Sequence, residues 1–151
     1  MLKKKAIALI LILTLLILLI SLSSSLALAS NGEKFLRLKK ATIKSSGSDL
    51  YIYLEYELSI FAKFYLWLLG SKAIEPELVN SLHGFNDLSA LEIKSDGAVL
   101  ISRNSVKEAG SYYLFYGGSI EQPVNLRIEV PHSTVKQYWN TQEIPPFWIS
   151  K

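Results

Sequence analysis

The sequence contains no cysteine, and its 151 residues include only two histidines. The lack of cysteine excludes disulfides, a thiolate nucleophile, cysteine-ligated metals and a lipid anchor of the bacterial type. A zinc site needs three or four ligands at helical or strand spacing, and neither His83 nor His132 has such neighbours. We therefore predict no metal site and no cofactor.

Motifs for catalysis are also absent. There is no Gly-x-Ser-x-Gly elbow, and Gly117-Gly118 lacks the further glycine and the lysine of a phosphate-binding loop. Glu55 and Glu57 form the best carboxylate pair, but a glycosidase needs two carboxyls about 5–9 Å apart across a cleft. On one strand they are better explained as a solvated face with Arg37 or Lys39 nearby. We expect no catalytic residue.

The N-terminus has the residue pattern of an export signal. Three lysines at 3–5 precede an apolar run, Ala6 to Ile20, and a tract of small residues ends in Ala27-Leu28-Ala29. This order is typical of a secretory signal peptide, with cleavage after Ala29. Alternatively, residues 6–29 stay uncleaved and cross the membrane as an anchor. Both alternatives place the rest of the chain outside the cytoplasm, either secreted or anchored to the outer face of the cytoplasmic membrane.

Charge argues against a nucleic-acid partner. The chain has 16 basic and 13 acidic side chains, and without the three N-terminal lysines the two signs balance. A nucleic-acid-binding domain needs a net basic surface to collect phosphates. We expect membrane contact only through residues 6–29, and only if they are retained.

The exported part, residues 30–151, is predicted to be a single domain. Apolar and polar residues alternate from Leu50 to Leu58, which indicates a half-buried strand. The strand before it changes phase near Lys39-Lys40, which predicts a β-bulge. A helix is expected from Ile60 to Leu69, capped by Ser59, and it is apolar nearly all round. We expect this helix to be buried against a sheet or to touch something apolar.

Further elements complete the predicted fold. A second helix is expected to start at Glu75 and to end near Gly84, which puts His83 close to its end. Asp96-Gly97 predicts a tight hairpin with positive φ at both residues, and an apolar tail around residues 144–149 is expected to pack on the domain. The predicted class is α+β, a mainly antiparallel sheet with the two-helix segment packed on one face. The alternative is a small β-sandwich with a helical crossover.

Aromatic side chains suggest a binding role. Tyr51 and Tyr53 fall on the solvent side of their strand, and tyrosine and tryptophan are enriched at interfaces. Our first hypothesis is a non-catalytic module at the cell surface or in the medium that binds a protein or a glycan. The alternatives are an extracytoplasmic hydrolase and a membrane-tethered accessory subunit that docks through Phe61–Leu69.

Two segments resemble a known group of sequences. The run from Leu68 to Pro76 is similar to a segment of small exported archaeal proteins of unknown function. The stretch from Tyr138 to Pro145 is similar to their C-terminal strand and tail. The resemblance implies a shared α+β domain behind a signal sequence, and it implies no activity.

Overall fold

The computed structural model describes residues 34–131 and 133–151. Strands hold 57% of these residues and helices 16%. The protein is thus mostly β, with one short helical segment between its second and third strands. Among the described residues no helix is long and apolar enough to cross a membrane.

The elements follow one another along the chain with short connections. The strands are β1 (Leu36–Ser46), β2 (Asp49–Leu58), β3 (Leu82–His83), β4 (Leu88–Ile93), β5 (Gly97–Ser102), β6 (Lys107–Ala109), β7 (Tyr112–Phe115), β8 (Gly118–Glu129), β9 (Lys136–Ile144) and β10 (Phe147–Ser150). The helices are α1 (Ile60–Leu69) and α2 (Glu75–Asn80), with a 3₁₀ turn between them at Ser71–Ala73.

Seven strands form a mixed sheet. Its order is β3-β8-β1-β2-β5-β4, and β9 pairs with β8. β1 and β8 run parallel, whereas the other strand pairs of the described residues are antiparallel. The sheet was predicted to be mainly antiparallel, and the prediction did not include this parallel pair. A parallel pair needs a long crossover connection, and the chain between β1 and β8 contains both helices.

The remaining strands form a small sheet in the order β10-β7-β6. Pro145 and Pro146 separate β9 from β10, since proline has no N–H to donate to a strand ladder. Phe147 and Ile149 on β10 are buried with Phe115 of β7 in the same core as the large sheet. The expectation that the apolar tail packs on the domain is therefore correct.

α1 has the predicted bounds but not the predicted burial. The Ser59 hydroxyl accepts a hydrogen bond from the Ala62 N–H at 3.2 Å, which caps the first turn. Gly70 follows the last turn with φ +76°. Ala62 is the only fully buried residue of α1. Of the two alternatives expected for this helix, burial against the sheet does not hold for its outward face, and contact with something else apolar stays a prediction.

α2 is shorter than predicted. It ends at Asn80, where the Ser81 hydroxyl donates to the carbonyl oxygen of Leu78 at 2.7 Å. Leu82 and His83 then pair with β8 as the short strand β3. His83 is thus a strand residue and not part of a helix end. Sequence periodicity did not separate these two residues from the helix because Leu82 continues its apolar spacing.

The hairpin at Asp96-Gly97 forms, but with a different turn. β4 and β5 pair on either side of it, and the Lys94 N–H donates to the Gly97 carbonyl oxygen at 2.8 Å. Neither Asp96 nor Gly97 has positive φ. Glycine is required at 97 for another reason: a Cβ there would lie 2.9 Å from the carbonyl oxygen of Leu54 on the neighbouring strand.

Candidate functional site

Two β-bulges meet beside Asn125. The β1–β2 register shifts between Leu38 and Lys40, as the sequence predicted. On the other side of β8, two residues of β9, Trp139 and Asn140, stand opposite Asn125. Asn140 has φ +51°, and its N–H donates to Asn125 Oδ1 at 3.3 Å. Bulges re-aim side chains and are common beside functional sites.

The bulge in β9 creates a groove on the solvent face of the large sheet, which we call the Trp139 groove. It has a volume of about 130 Å³ and is lined by Lys40, Asn125, Leu126, Arg127, Gln137, Tyr138 and Trp139. The Trp139 side chain is 74% exposed, so its indole is available to a ligand. The groove combines the aromatic side chains of Tyr138 and Trp139 with amide and cationic hydrogen-bond donors.

Ion pairs hold the cationic groups of this face. Lys40 Nζ lies 2.6 Å from a carboxylate oxygen of Glu55, and Arg127 Nε lies 2.6 Å from Glu129. Lys44 also pairs with Glu129, at 2.9 Å, and the hydrogen bond from Lys44 lowers the pKa of the Glu129 carboxyl. Exposed ion pairs add little stability, because water and salt screen the charges. Their effect is to orient the Lys40 and Arg127 side chains beside the groove.

The predicted binding tyrosines lie on the same face but outside the groove. Register places Arg127, Thr42 and Tyr53 side by side across β8, β1 and β2. Tyr53 is 39% exposed, and Lys44 Nζ lies 5.4 Å from its ring centroid. Tyr51 pairs with Lys44 and is half-buried. A role for Tyr51 and Tyr53 in binding stays a prediction.

The carboxylate pair does not form a catalytic dyad. Glu55 accepts a hydrogen bond from Lys40, and Glu57 accepts one from Lys39. Both carboxylate side chains are 59% exposed. The hydrogen bond and the charge of Lys39 lower the pKa of the Glu57 carboxyl, whereas a general acid needs a raised pKa.

A second aromatic cluster lies on the small sheet. Tyr112 and Trp148 meet edge to face at 6.4 Å, and both are at least half exposed. Lys107 Nζ lies 5.3 Å from the ring centroid of Tyr116. Trp148 also borders a cleft of about 140 Å³ beside the turn after β8. This cluster has no bulge to aim its side chains and fewer amide donors than the Trp139 groove.

Several predicted features fall outside the described residues. They are the export segment, the boundary between residues 29 and 30, the cleavage residues Ala27 and Ala29, and His132. His83 is exposed on β3. Within the part of the chain that the structure describes, no group of three histidine, aspartate or glutamate side chains could hold a metal ion.

The groove residues were not singled out from the sequence, apart from Trp139 as one of several aromatics. One local signal was available: Asn140 follows Trp139 in an otherwise strand-like stretch, and asparagine tolerates positive φ better than most residues. No pattern in the nearby sequence predicts that Lys40 and Asn125 lie beside Trp139. This arrangement depends on pairing between β1 and β8, which lie more than 70 residues apart in the chain.

Comparisons with known proteins give no match. No family model, no curated protein and no solved structure matches this chain. The similarity to small exported archaeal proteins therefore stays a prediction.

Proposed function

We propose that this chain is an exported, non-catalytic binding module that holds a glycan in the Trp139 groove. The proposal places the domain outside the cytoplasm, secreted or anchored to the outer face of the membrane. The observation that carries it is the exposed indole of Trp139 beside the amides of Asn125 and Gln137.

The chemistry of the groove fits a sugar ring. The apolar face of a pyranose can pack on the indole, since aromatic side chains supply large apolar contact area. Amides both donate and accept hydrogen bonds, so Asn125 and Gln137 suit hydroxyl groups. Sites that enclose a drug-sized ligand measure roughly 300–1,000 Å³. At about 130 Å³, the groove would hold one ring of a longer chain.

A peptide is the less favoured ligand. An extended peptide commonly adds to a free sheet edge, and β9 pairs only with β8 among the described strands. The bulge at Trp139 and Asn140 interrupts the regular hydrogen-bonding edge that such a peptide needs. The hydrolase alternative also lacks support, because Glu55 and Glu57 are each occupied by a lysine.

The fold interpretation that accompanies this proposal is α+β, with the two-helix segment against one face of the large sheet. Its support is that Ala62, Ile74 and Leu78 belong to the same buried cluster as the sheet residues. The parallel β1–β8 pair is part of this interpretation.

A glycan array with the chain that begins at Ser30 tests the function. We expect at least one glycan to bind, and Trp139→Ala to weaken that binding about tenfold or more, which corresponds to about 1.4 kcal/mol. Trp148→Ala is the matched control, because Trp148 is similarly exposed on the small sheet. An array without binding, or equal losses in the two variants, would contradict the proposal.

A further inference from the structure

The outward face of α1 is an uncovered apolar surface. Ile60 is 81% exposed and Trp67 is 79% exposed. We use the term α1 face for the six large apolar side chains that are about half exposed or more: Ile60, Phe61, Phe64, Trp67, Leu68 and Leu69. Most of them follow helical spacings of three, four and seven residues, which place them on one side of the helix.

The α1 face is held in place rather than loosely arranged. The Ser59 cap fixes the first turn, and the rings of Phe64 and Trp67 contact each other with centroids 6.0 Å apart. The opposite side of the helix enters the domain core through Ala62. A contiguous exposed apolar surface of this kind usually marks a protein or membrane contact.

The start of the domain lies beside this helix. The Ser59 N–H donates to the Phe35 carbonyl oxygen at 3.2 Å, and the Phe35 ring meets Tyr65 edge to face at 6.1 Å. Residues 6–29, the predicted export segment, end six residues before Phe35. A chain of that length reaches about 20 Å at most. If the segment is retained in the membrane, Phe35 is therefore held within about 20 Å of the bilayer, and the start of α1 lies beside Phe35.

We propose that the α1 face lies in the head-group region of the lipid bilayer in which residues 6–29 are retained. The inference rests on the export that the proposed function also requires, but not on glycan binding. An interfacial helix buries its apolar face about 5–10 Å into the boundary between head groups and acyl chains. Ten residues of helix, about 15 Å long, suit this position and are too few to span the membrane.

Charge and residue type favour lipid over a second copy of the chain. The only charge in the sequence of α1 is Lys63, and Lys72 follows on the 3₁₀ turn. Both are exposed cations, and they suit anionic head groups. Tryptophan at the edge of such a face, here Trp67, is typical of residues at the membrane interface.

Fluorescence quenching of the full chain in nanodiscs tests this inference. The discs contain phosphatidylcholine and phosphatidylglycerol with acyl chains brominated near the head group. The chain has three tryptophans, so Trp139→Phe with Trp148→Phe leaves Trp67 as the reporter. We expect Trp67 to lose roughly half of its emission, as suits a side chain at interfacial depth.

The matched control is the variant with Trp67→Phe and Trp139→Phe, in which Trp148 on the small sheet is the reporter. We expect its emission to be the same in brominated and ordinary lipid. Equal quenching of the two reporters, or none of Trp67, would overturn the inference. An unquenched but blue-shifted Trp67 would also overturn it, and would indicate cover by protein, with a doubled particle mass identifying a second copy. None of these outcomes depends on glycan binding, which the array measures separately.

Discussion

Gln122 is the buried polar residue with the clearest structural role. Its side-chain amide donates to the carbonyl oxygen of Leu36 at 2.9 Å, and its Oε1 accepts from the Leu38 N–H at 3.3 Å. β1 and β8 pair directly only from Lys40 and Asn125 onward. At Leu36 and Leu38, where β8 does not yet pair with β1, the Gln122 side chain makes hydrogen bonds to the β1 backbone that a neighbouring strand would otherwise make.

The substitution Gln122→Met removes both hydrogen bonds and keeps an unbranched side chain of similar length. Gln122 is only 8% exposed, so water cannot easily replace the lost partners. Each buried backbone group left unpaired costs about 1–3 kcal/mol, partly offset because a thioether is cheaper to bury than an amide. We expect a net loss of about 2–3 kcal/mol in the free energy of unfolding.

Urea unfolding of the chain that begins at Ser30 measures this loss, with an unchanged m-value if only stability changes. The melting temperature should fall by about 6–12 °C. Gln142→Met is the matched control, because Gln142 also bonds a backbone carbonyl oxygen of β8, that of Glu121, but in an exposed position. We expect the control to change stability by about 0.5 kcal/mol or less. Equal unfolding midpoints for the two variants would refute the proposed role of Gln122.

Three further predictions concern single groups. Burial raises the pKa of the Tyr56 hydroxyl to about 12 from 10.0. The contribution of the neutral hydroxyl to the free energy of unfolding should therefore be complete below pH 10 and lost as the pH rises toward about 12. A Tyr56→Phe variant that loses as much stability as the parent between pH 10 and about 12 would contradict this. Removing the hydrogen-bonding ammonium with Lys39→Met should raise the pKa of the Glu57 carboxyl toward its ordinary value, and an unchanged NMR titration of that carboxyl would show that Lys39 is not the cause. Gly97→Ala should destabilise the protein by about 1–3 kcal/mol because its Cβ would press on the Leu54 carbonyl oxygen, and an unchanged urea midpoint would disprove the contact.

Features with a local cause were predictable from the sequence. The alternation in β2 fixed which residues are buried, and all of Leu50, Ile52, Leu54, Tyr56 and Leu58 lie in the core. The phase change in β1 located its bulge. Ser59 and Gly70 located the ends of α1. In each case the determining interaction lies within a few residues or between adjacent strands of a hairpin.

Features with a distant cause were not predictable. The parallel pairing of β1 with β8 depends on which strands meet after the helices have formed, and no spacing in the sequence encodes it. The same pairing brings Lys40 to Asn125 and so forms one wall of the Trp139 groove. The apolar periodicity of α1 indicated that the helix needs an apolar contact, but it does not say whether that contact is the domain itself or an external partner.

The two proposed surfaces are linked through β1, and this link bears on the kind of ligand. Phe35 touches α1, and Lys40 lines the Trp139 groove. Along a strand these residues are about 17 Å apart, so a domain that rests on the bilayer through the α1 face would hold the groove near the membrane. The groove, at about 130 Å³, contacts about one sugar ring of a glycan. A glycan attached to the same membrane would be present at a high effective concentration, and weak contacts would then be sufficient. We therefore expect the groove to retain a membrane-attached glycan more strongly than the same glycan in solution.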